Sequence, residues 1–410
     1  MPRVLLLLPT TTYRTKAFIE AGLRTGYEIV AASEAPSTMS GSNPAGLLAL
    51  PLADPDRAAA TVVEFAKENP IDAVIPVDED TAVVAAVIAQ ALGLKHNSPE
   101  SARAAKNKRL MRQVLQEKGV RVPGFWNFSL EAPPSGLASQ VTYPCVVKPV
   151  SLSTSRGVMR VDDESQFILA VQRLEALLAR PDIVRRGGDG NRELLVEKYI
   201  PGVEVAVEGL LTDGIPQALA IFDKPDPLVG PFFEETIYVT PSRLPAAVQT
   251  AIVEMTQAAT SAMGLTKGPI HAELRVNDAG PWVIEVAARA IGGLCSRALR
   301  FGSGLSLEEL IIRHAVGEDV SPVRREMLAA GVMMIPIPKA GVLKDVRGID
   351  QALQVDGIED VVITAHVTQE IQPPPEGASY LGFIFSRAGT PERVEAALRE
   401  AHGRLKFSIG

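Results

Sequence analysis

Apolar and polar residues alternate along two neighbouring segments near residues 270–288, and this alternation predicts a β-hairpin. The apolar positions are Ile270, Ala272, Leu274 and Val276 in the first segment and Trp282, Ile284, Val286 and Ala288 in the second. The intervening Asn277-Asp278-Ala279-Gly280 is typical of a turn. A turn centred on Ala279 pairs Glu273 with Glu285 on the polar face, with their Cβ atoms about 4.5–5.5 Å apart.

Two carboxylates directly opposed on one sheet face repel each other unless a positive charge lies between them. Mg²⁺ prefers one or two carboxylates together with phosphate oxygens, so Glu273 and Glu285 indicate a nucleotide-metal site. Arg289, four residues further on, is placed to meet additional negative charge. The hairpin alone is equally compatible with two solvated glutamates on an exposed face.

The first 97 residues alternate between strand and helix patterns. Residues 4–8, 29–32 and 73–76 are predicted strands, and residues 16–26 form a predicted helix between the first two. Asp78, Glu79 and Asp80 begin an alanine-rich helix that ends near Gly93. These patterns predict a parallel α/β domain of Rossmann-like organisation. The first turn, PTTTYRT, lacks Gly-x-Gly-x-x-Gly, which argues against a dinucleotide-binding oxidoreductase.

The remainder mixes helices with antiparallel strands. Residues 98–119 read as one long helix, with Ser98 as N-cap, Pro99 at the first position and Gly119 as the stop. Further helices are predicted near residues 246–263, 307–315 and 391–405. The expected fold is therefore a multidomain combination of α/β and α+β units, with boundaries at 1–97, 98–195, 196–320 and 321–410.

Composition narrows the function classes. The 410 residues contain 46% hydrophobic and 22% charged residues, as in globular proteins. A formal charge of −7 leaves no basic face, so nucleic acid is not an expected partner. Membrane association is not expected either, because no apolar run reaches about 18 residues and the opening run is too short for a signal peptide. Two cysteines, Cys145 and Cys295, favour a reduced, cytoplasmic protein.

Lys148 closes an apolar strand and precedes a loop rich in serine. Ser151, Ser153, Thr154, Ser155 and Gly157 offer backbone N–H groups and hydroxyls that can cover phosphates. Taken alone, this stretch is also compatible with a surface lysine beside a solvated hairpin. Three acids, Glu197, Glu204 and Glu208, follow among strand-forming residues, where carboxylates can accept hydrogen bonds from a purine amino group or ribose hydroxyls.

The order of these motifs resembles the ATP-grasp superfamily, specifically its carboxylate-amine ligase branch, similar to L-amino-acid ligases. The resemblance rests on LMRQVLQEKGVRVP after Lys108, on Lys148 with its serine-rich loop, on VEKYIPGVEVAVEG, and on HAELRV with PWVIEVAARAIGG. It extends over the whole chain, including MIPIPKAGVL and YLGFIFSRAGTPERVEAALREAH near the end.

The resemblance implies a role for individual residues. The implied nucleotide-binding residues are Lys108, Lys148, Ser153, Ser155 and Gly157 at the phosphates, Glu197 with Lys198, Tyr199 and Ile200 at adenine, and Glu204 at ribose. The implied metal ligands are Glu273 and Glu285. The implied catalytic residues are Arg289, Lys148 and His271, and the implied substrate contacts are Arg289, Gly292 and Gly293. Phe232, Phe233, Glu234 and Glu235 lie in a long loop, where Glu235 is a candidate to hold a substrate ammonium group.

Some positions depart from the family pattern or leave alternatives open. Lys106 competes with Lys108 as the first phosphate lysine, and the position before Lys108 is Asn107 rather than an acid. Ala287 replaces an asparagine that many relatives use for the metal. The phosphate loop contains fewer glycines than is usual, and His271 is equally compatible with a packed position in the sheet.

The resemblance implies an enzyme that joins a small-molecule carboxylate to an amine through an acyl phosphate, with release of ADP and phosphate. ATP and Mg²⁺, with Mn²⁺ as an alternative ion, are the implied cofactors, amino acids are the expected substrates, and a homodimer is expected only by analogy. The alternatives are a purine-pathway ligase, a biotin-dependent carboxylase component, an AMP-releasing ligase or a nucleotide-binding regulatory module.

Overall fold

A computed structural model describes residues 1–9, 12–34, 47–184 and 192–410. The first domain contains β1 (Arg3–Leu7), α1 (Thr15–Thr25), β2 (Glu28–Ser33), β3 (Leu47–Ala49), α2 (Pro55–Ala66), β4 (Ala73–Pro76) and α3 (Glu79–Ala91). Its four strands form a sheet in the order β3-β2-β1-β4, with every neighbouring pair parallel. The expected parallel α/β domain is confirmed. Thr10 and Thr11, within the PTTTYRT turn, lie outside the described residues.

The single long helix expected at residues 98–119 is wrong. The structure has two helices there, α4 (Pro99–Lys106) and α5 (Lys108–Glu117), separated by an extended Asn107. The Asn107 side chain accepts a hydrogen bond from Leu110 N (3.0 Å), so it caps α5. Ser98 caps α4 as expected, accepting from Ser101 N. The break places Lys108 at the first position of a new helix.

A small antiparallel sheet follows. Its elements are β5 (Phe125–Ser129), α6 (Pro134–Ala138), β6 (Cys145–Pro149), β7 (Met159–Val161), α7 (Glu164–Leu178), α8 (Pro181–Val184) and β8 (Glu193–Lys198). The strands pair in the order β5-β8-β6-β7, and α7 packs its buried residues against them. The boundary expected at residues 195/196 lies inside β8.

The central element is an eight-stranded sheet to which two stretches of the chain contribute. The first supplies β9 (Val203–Thr212), β10 (Ile215–Lys224), β11 (Ile237–Thr240), α9 (Ala246–Ala262), β12 (Gly268–Asn277) and β13 (Gly280–Ala287). A small hairpin, β14 (Arg300–Phe301) with β15 (Leu305–Ser306), and helix α10 (Leu307–Ala315) complete it.

The second stretch supplies β16 (Ala329–Ile335), β17 (Gly341–Arg347), α11 (Ile349–Leu353), β18 (Ile358–Ile363), β19 (Glu370–Ile371), β20 (Gly382–Ala388), α12 (Pro391–Arg404) and β21 (Lys406–Ile409). The large sheet has the order β13-β12-β9-β10-β11-β16-β20-β18, so the boundary expected at residue 320 divides a continuous sheet. The remaining strands pair as β19-β17-β21.

The hairpin of β12 and β13 pairs Glu273 with Glu285, which confirms that expected pair. The turn centred on Ala279 is wrong, because Asn277 pairs with Gly280 and the register next to the turn is one residue out of step with the expected one. The expected apolar face of β13 is wrong in part, because the register shifts between Glu273 and Leu274. As a result Val283 and Val286 enter the core, whereas Trp282 lies outside it and packs its ring beside Arg121. Ile284 borders the cavity described below.

The described helices include none that is both long and apolar enough to cross a membrane. Cys145 and Cys295 are both buried with free thiols.

Candidate active site

A cavity of about 330 Å³ lies where the first domain, the small sheet and the large sheet meet. The residues for which the resemblance implies nucleotide, metal, catalytic or substrate contacts all border it except Gly157, and Glu235 does so too. Residues that the sequence did not single out also border it, namely Arg14, Glu79, Tyr238, Tyr380 and Phe383. The candidate residues therefore converge on one site, although they come from separate elements.

Glu273 and Glu285 face this cavity from adjacent strands. Glu285 Oε1 lies 3.2 Å from Lys108 Nζ, and Glu273 Oε1 lies 3.1 Å from Lys224 Nζ. Both carboxylates are thus neutralised by lysines that reach them from other elements. Two hard oxygen donors opposed at a cavity fit a divalent cation such as Mg²⁺. Ala287, opposite His271, adds no oxygen ligand from its side chain.

The structure separates the two candidates for the first lysine. Lys108 is buried at the start of α5, and its Nζ also donates to Leu152 O at 2.9 Å in the serine-rich loop. Burial opposes the charge, but Glu285 and Glu79 raise the pKa of Lys108. Lys106 instead lies 3.4 Å from Asp80 and does not border the cavity. Lys108 is therefore the lysine that reaches the site.

Lys148, Glu197 and Arg112 form a buried charge cluster. Glu197 accepts from Lys148 Nζ and from Arg112 Nε, both at 2.6 Å. Burial acts to raise the pKa of Glu197, but Arg112 and Lys148 hold it below its usual range. Burial and the charge of Arg112 lower the pKa of Lys148. Arg112 is a site residue that helix periodicity did not reveal.

A second cluster centres on Lys224, which the sequence did not indicate. Its ammonium contacts the carboxylates of Glu204 (2.8 Å), Glu273 (3.1 Å) and Glu235. These three carboxylates have oxygens within 4.8 Å of one another, close enough to share an ion, and the lysine ammonium lies among them. Burial raises the pKa of Glu235 to about 7, although Lys224 opposes this shift. Glu204 and Glu235, expected at ribose and at a substrate ammonium, are here engaged by Lys224.

His271 pairs with Glu208 through Nδ1 and lies 3.4 Å from Glu273 Oε1 through Nε2. Burial opposes protonation, but Glu208 and Glu273 raise the pKa of His271 to about 9. Glu208 also accepts from Ile291 N at 3.1 Å. The two acids therefore favour the protonated form of His271, and its partner Glu208 ties β9 to the segment that carries Arg289.

The backbone at residues 198–200 borders the cavity but is already partly bonded. Lys198 N donates to Gly124 O (2.8 Å) and Tyr199 N donates to Pro144 O (3.1 Å). Ile200 O accepts from Arg275 Nη1 (2.9 Å), and Arg275 Nε pairs with Glu204 at 2.8 Å. The two N–H groups are thus held within the protein, and their predicted contact with adenine stays a prediction.

The serine-rich loop adopts an uncommon backbone conformation. Thr154, Ser155 and Gly157 have φ values of 56°, 53° and 76°. Gly157 N donates to Pro375 O at 2.8 Å, and Arg156 Nε donates to Glu376 O at 2.9 Å. The loop is therefore docked on a loop of the C-terminal region.

Gly292 and Gly293 follow Arg289 along the wall of the cavity. Gly293 has a φ of 60°, and a Cβ there would approach the ring of Phe383 to 3.1 Å. The turn therefore depends on glycine for both its conformation and its packing.

Comparisons with known proteins decide the family. A family model for the ATP-grasp domain matches residues 141–298, one for the ATP-grasp N-terminal domain matches residues 19–96, and one for the L-amino acid ligase C-terminal domain 2 matches residues 333–410. The chain belongs to the ATP-grasp superfamily. The expected ATP-grasp fold, with its parallel α/β N-terminal domain, is confirmed.

Relatives of this ATP-grasp protein include amino-acid ligases. The crystal structure of L-amino acid ligase from Bacillus licheniformis has a TM-score of 0.84 and 28% identity, covering 100% of this chain and 99% of that one. Alanine--anticapsin ligase of Bacillus subtilis (strain 168) is 26% identical over 61% of this chain. Dapdiamide A synthase of Enterobacter agglomerans is 29% identical over 48%. These two alignments span 55% and 45% of the relatives' own lengths.

Proposed function

We propose that this protein is an ATP-dependent carboxylate-amine ligase that joins amino acids through an acyl phosphate and releases ADP and phosphate. The observation that carries the proposal is the opposition of Glu273 and Glu285 in one cavity with Lys108 and Lys148. Two carboxylates and two lysines match the needs of phosphoryl transfer, which is catalysed by positioning and charge neutralisation. The likeness to an L-amino acid ligase over the full chain supports amino acids as substrates.

ATP would lie between the small and large sheets. Lys108 and Lys148 would contact its phosphates, with the loop of Ser153, Ser155 and Gly157 covering them. Glu197 would accept from the adenine amino group, and Lys198 to Ile200 would border the ring. Glu204 would hold the ribose after exchanging part of its contact with Lys224.

Glu273 and Glu285 would hold Mg²⁺, for which Mn²⁺ is an alternative. The bound metal would supply neutralisation of negative charge on the phosphate oxygens. In the structure Lys108 and Lys224 already supply part of that charge to the two carboxylates. The lysines therefore place positive charge beside two carboxylates that would act as ligands.

The substrate carboxylate would attack the γ-phosphorus of ATP, forming an acyl phosphate as the bond to the β-phosphate oxygen breaks. The amine nitrogen would then attack the acyl carbon, lose a proton and expel phosphate. Arg289 would stabilise the oxyanion of that second step, beside the Gly292-Gly293 turn, and the imidazolium of His271 would add positive charge. Glu235 would bind a substrate ammonium by exchanging part of its contact with Lys224. The docked Ser153 loop would exclude water from the acyl phosphate.

The test is nucleotide product analysis with ATP, Mg²⁺ and pooled amino acids. We expect amino-acid-dependent ADP and phosphate, together with a condensed product in mass spectra. Glu285→Gln should abolish turnover, whereas the matched surface variant Glu64→Gln should not. Release of AMP, or ATP binding without turnover, would contradict the proposal and favour an adenylating ligase or a regulatory module.

The cytoplasmic location and the homodimer stay predictions. Sedimentation of the purified protein tests the second.

A further inference from the structure

Arg14 is a buried cation whose donors are only partly used. Its side chain borders the cavity at the start of α1, and it is 1% exposed. Nη1 donates to Val77 O at 2.9 Å. Nε and Nη2 have no hydrogen-bond partner among the described residues. A buried guanidinium with unused N–H groups is costly unless an anion completes its contacts.

The acid nearest to Arg14 does not complete them. Glu308 Oε1 lies 3.6 Å from Arg14 Nη2, which is beyond hydrogen-bond length, and accepts from Ser296 Oγ at 2.6 Å. The guanidinium also lies 5.0 Å from the centre of the Phe18 ring. Val77 and Glu308 therefore hold Arg14 in place, while Nε and Nη2 keep buried N–H groups that no described residue bonds.

Four other buried or half-buried cations that border the cavity already have acidic partners. Their ion pairs are Lys108–Glu285 at 3.2 Å, Lys148–Glu197 at 2.6 Å, Arg275–Glu204 at 2.8 Å and Arg289–Glu79 at 3.2 Å. Arg14 differs from all four, because its Nη2 reaches its acid only at 3.6 Å. Among the described cavity residues it is thus the cation best placed to take a new carboxylate.

Aromatic side chains share this part of the cavity. The Tyr13 and Phe383 rings are 6.3 Å apart, and the Tyr380 and Phe383 rings are 6.2 Å apart. Phe383 in turn packs against Gly293, next to the segment that carries Arg289. A carboxylate at Arg14 would therefore belong to a molecule that lies beside an apolar wall and close to the glycine turn.

We propose that Arg14 binds the free α-carboxylate of the amine substrate, whose side chain packs on Tyr13, Tyr380 and Phe383. The inference rests on the proposed ligase activity. The carboxylate of the acyl substrate is consumed in the reaction, whereas the carboxylate of an amino acid acting as nucleophile survives into the product. A planar fork of N–H donors matches that surviving group. Arg14 is therefore a determinant of the class of amine accepted, namely an α-amino acid with a free carboxylate.

The test compares three nucleophiles with one acyl donor. Hydroxylamine traps the acyl phosphate as a hydroxamate and carries no carboxylate; an amino acid and its amide differ only in that group. We expect wild-type protein to prefer the amino acid over the amide. Arg14→Met should lower kcat/KM for the amino acid by about 10- to 100-fold, the range for a hydrogen bond to a charged group. Hydroxamate formation and use of the amide should fall far less.

Controls separate the possible failures. Lys16→Met removes a neighbouring, exposed charge and should keep the wild-type preference. Arg14→Lys keeps the positive charge but loses the fork of N–H donors, so its preference for the amino acid over the amide should be intermediate. If Arg14→Met does not fold, Arg14→Lys is compared with wild type instead. An equal loss with all three nucleophiles, or no loss, would overturn the role of Arg14 while leaving the ligase proposal intact. Absence of hydroxamate and peptide in wild-type protein would overturn both.

Discussion

The guanidinium of Arg289 lies 3.2 Å from the carboxylate of Glu79, and this ion pair joins the N-terminal domain to the segment that follows the carboxylate hairpin. Glu79 begins α3, directly after the edge of the parallel sheet, whereas Arg289 follows β13. Burial opposes the charge of Arg289, but Glu79 and Glu285 raise its pKa, so it stays charged. Glu79 is thus a positioning residue for the proposed oxyanion contact.

Glu79→Gln should lower kcat for peptide formation by about 10-fold or more, because Arg289 loses the anion that orients it. The KM for ATP should change less than kcat, since Glu79 is not among the proposed nucleotide contacts and acts on Lys108 only through its charge. Steady-state ADP release checks both values. Glu79→Asp should recover part of kcat, and an unchanged kcat in Glu79→Gln would contradict the positioning role.

Lys224→Met should destabilise the fold by about 3–5 kcal/mol, because the buried Glu204 and the half-buried Glu235 and Glu273 lose their shared cation. The same carboxylates are close enough to share an ion, so Mg²⁺ or Mn²⁺ should restore more stability to this variant than to wild type. Urea unfolding with and without the ion measures the free energy of unfolding. Lys406→Met, at an exposed position, is the control. A variant as stable as wild type without metal would refute the prediction.

Gly157→Ala should raise the KM for ATP several-fold. An alanine there would need a φ of 76° and would approach Leu174, Leu177 and Pro149 to 3.0–3.2 Å, which displaces the loop from its docked position. Gly389→Ala adds the same methyl group in open space without a positive φ and serves as the matched control. Equal KM values in the two variants would show that the loop conformation is unimportant.

Protonation of His314 should lower the free energy of unfolding in mild acid. Burial and then Lys267 lower the pKa of His314 to about 4, and Nε2 contacts Thr212 Oγ1 at 2.9 Å. The folded pKa is below the ordinary value, so this contribution is complete above about pH 6.5 and is lost as the pH falls toward 4. His314→Gln should therefore lose less stability with acid than wild type. Urea unfolding at several pH values checks this, and the exposed His366→Gln should follow wild type.

Local patterns determined a large part of this site. The period-two alternation and the turn residues predicted the hairpin and its polar side. The observed turn at Asp278 and Ala279 would by itself pair Glu273 with Ile284, and the extra residue in β13 restores the expected pairing of Glu273 with Glu285. The position of Lys148 at the end of an apolar strand was likewise predicted from the sequence pattern. Strand, helix and turn patterns also predicted the parallel N-terminal domain correctly.

Irregularities of the backbone escaped sequence reasoning. The turn at Asp213 and Gly214 would set Glu204 opposite Asp223, but a register shift between Ala218 and Ala220 sets it opposite Lys224. A shift after Glu273 likewise moves Val283 rather than Trp282 into the core. A single inserted residue exchanges the two faces of a strand, and no residue type in these segments marks its position.

The sequence by itself determined most of the elements, the family pattern and the polar side of the hairpin that carries Glu273 and Glu285, since these depend on neighbours a few residues apart. Only the tertiary structure decided that Lys224 balances three acids, that Glu79 holds Arg289, and that Arg14 borders the cavity with unused donors. Glu79 and Arg289 are 210 positions apart in the chain. Charges so distant in sequence meet only through the packing of separate domains, and their protonation and availability depend on the burial that this packing creates.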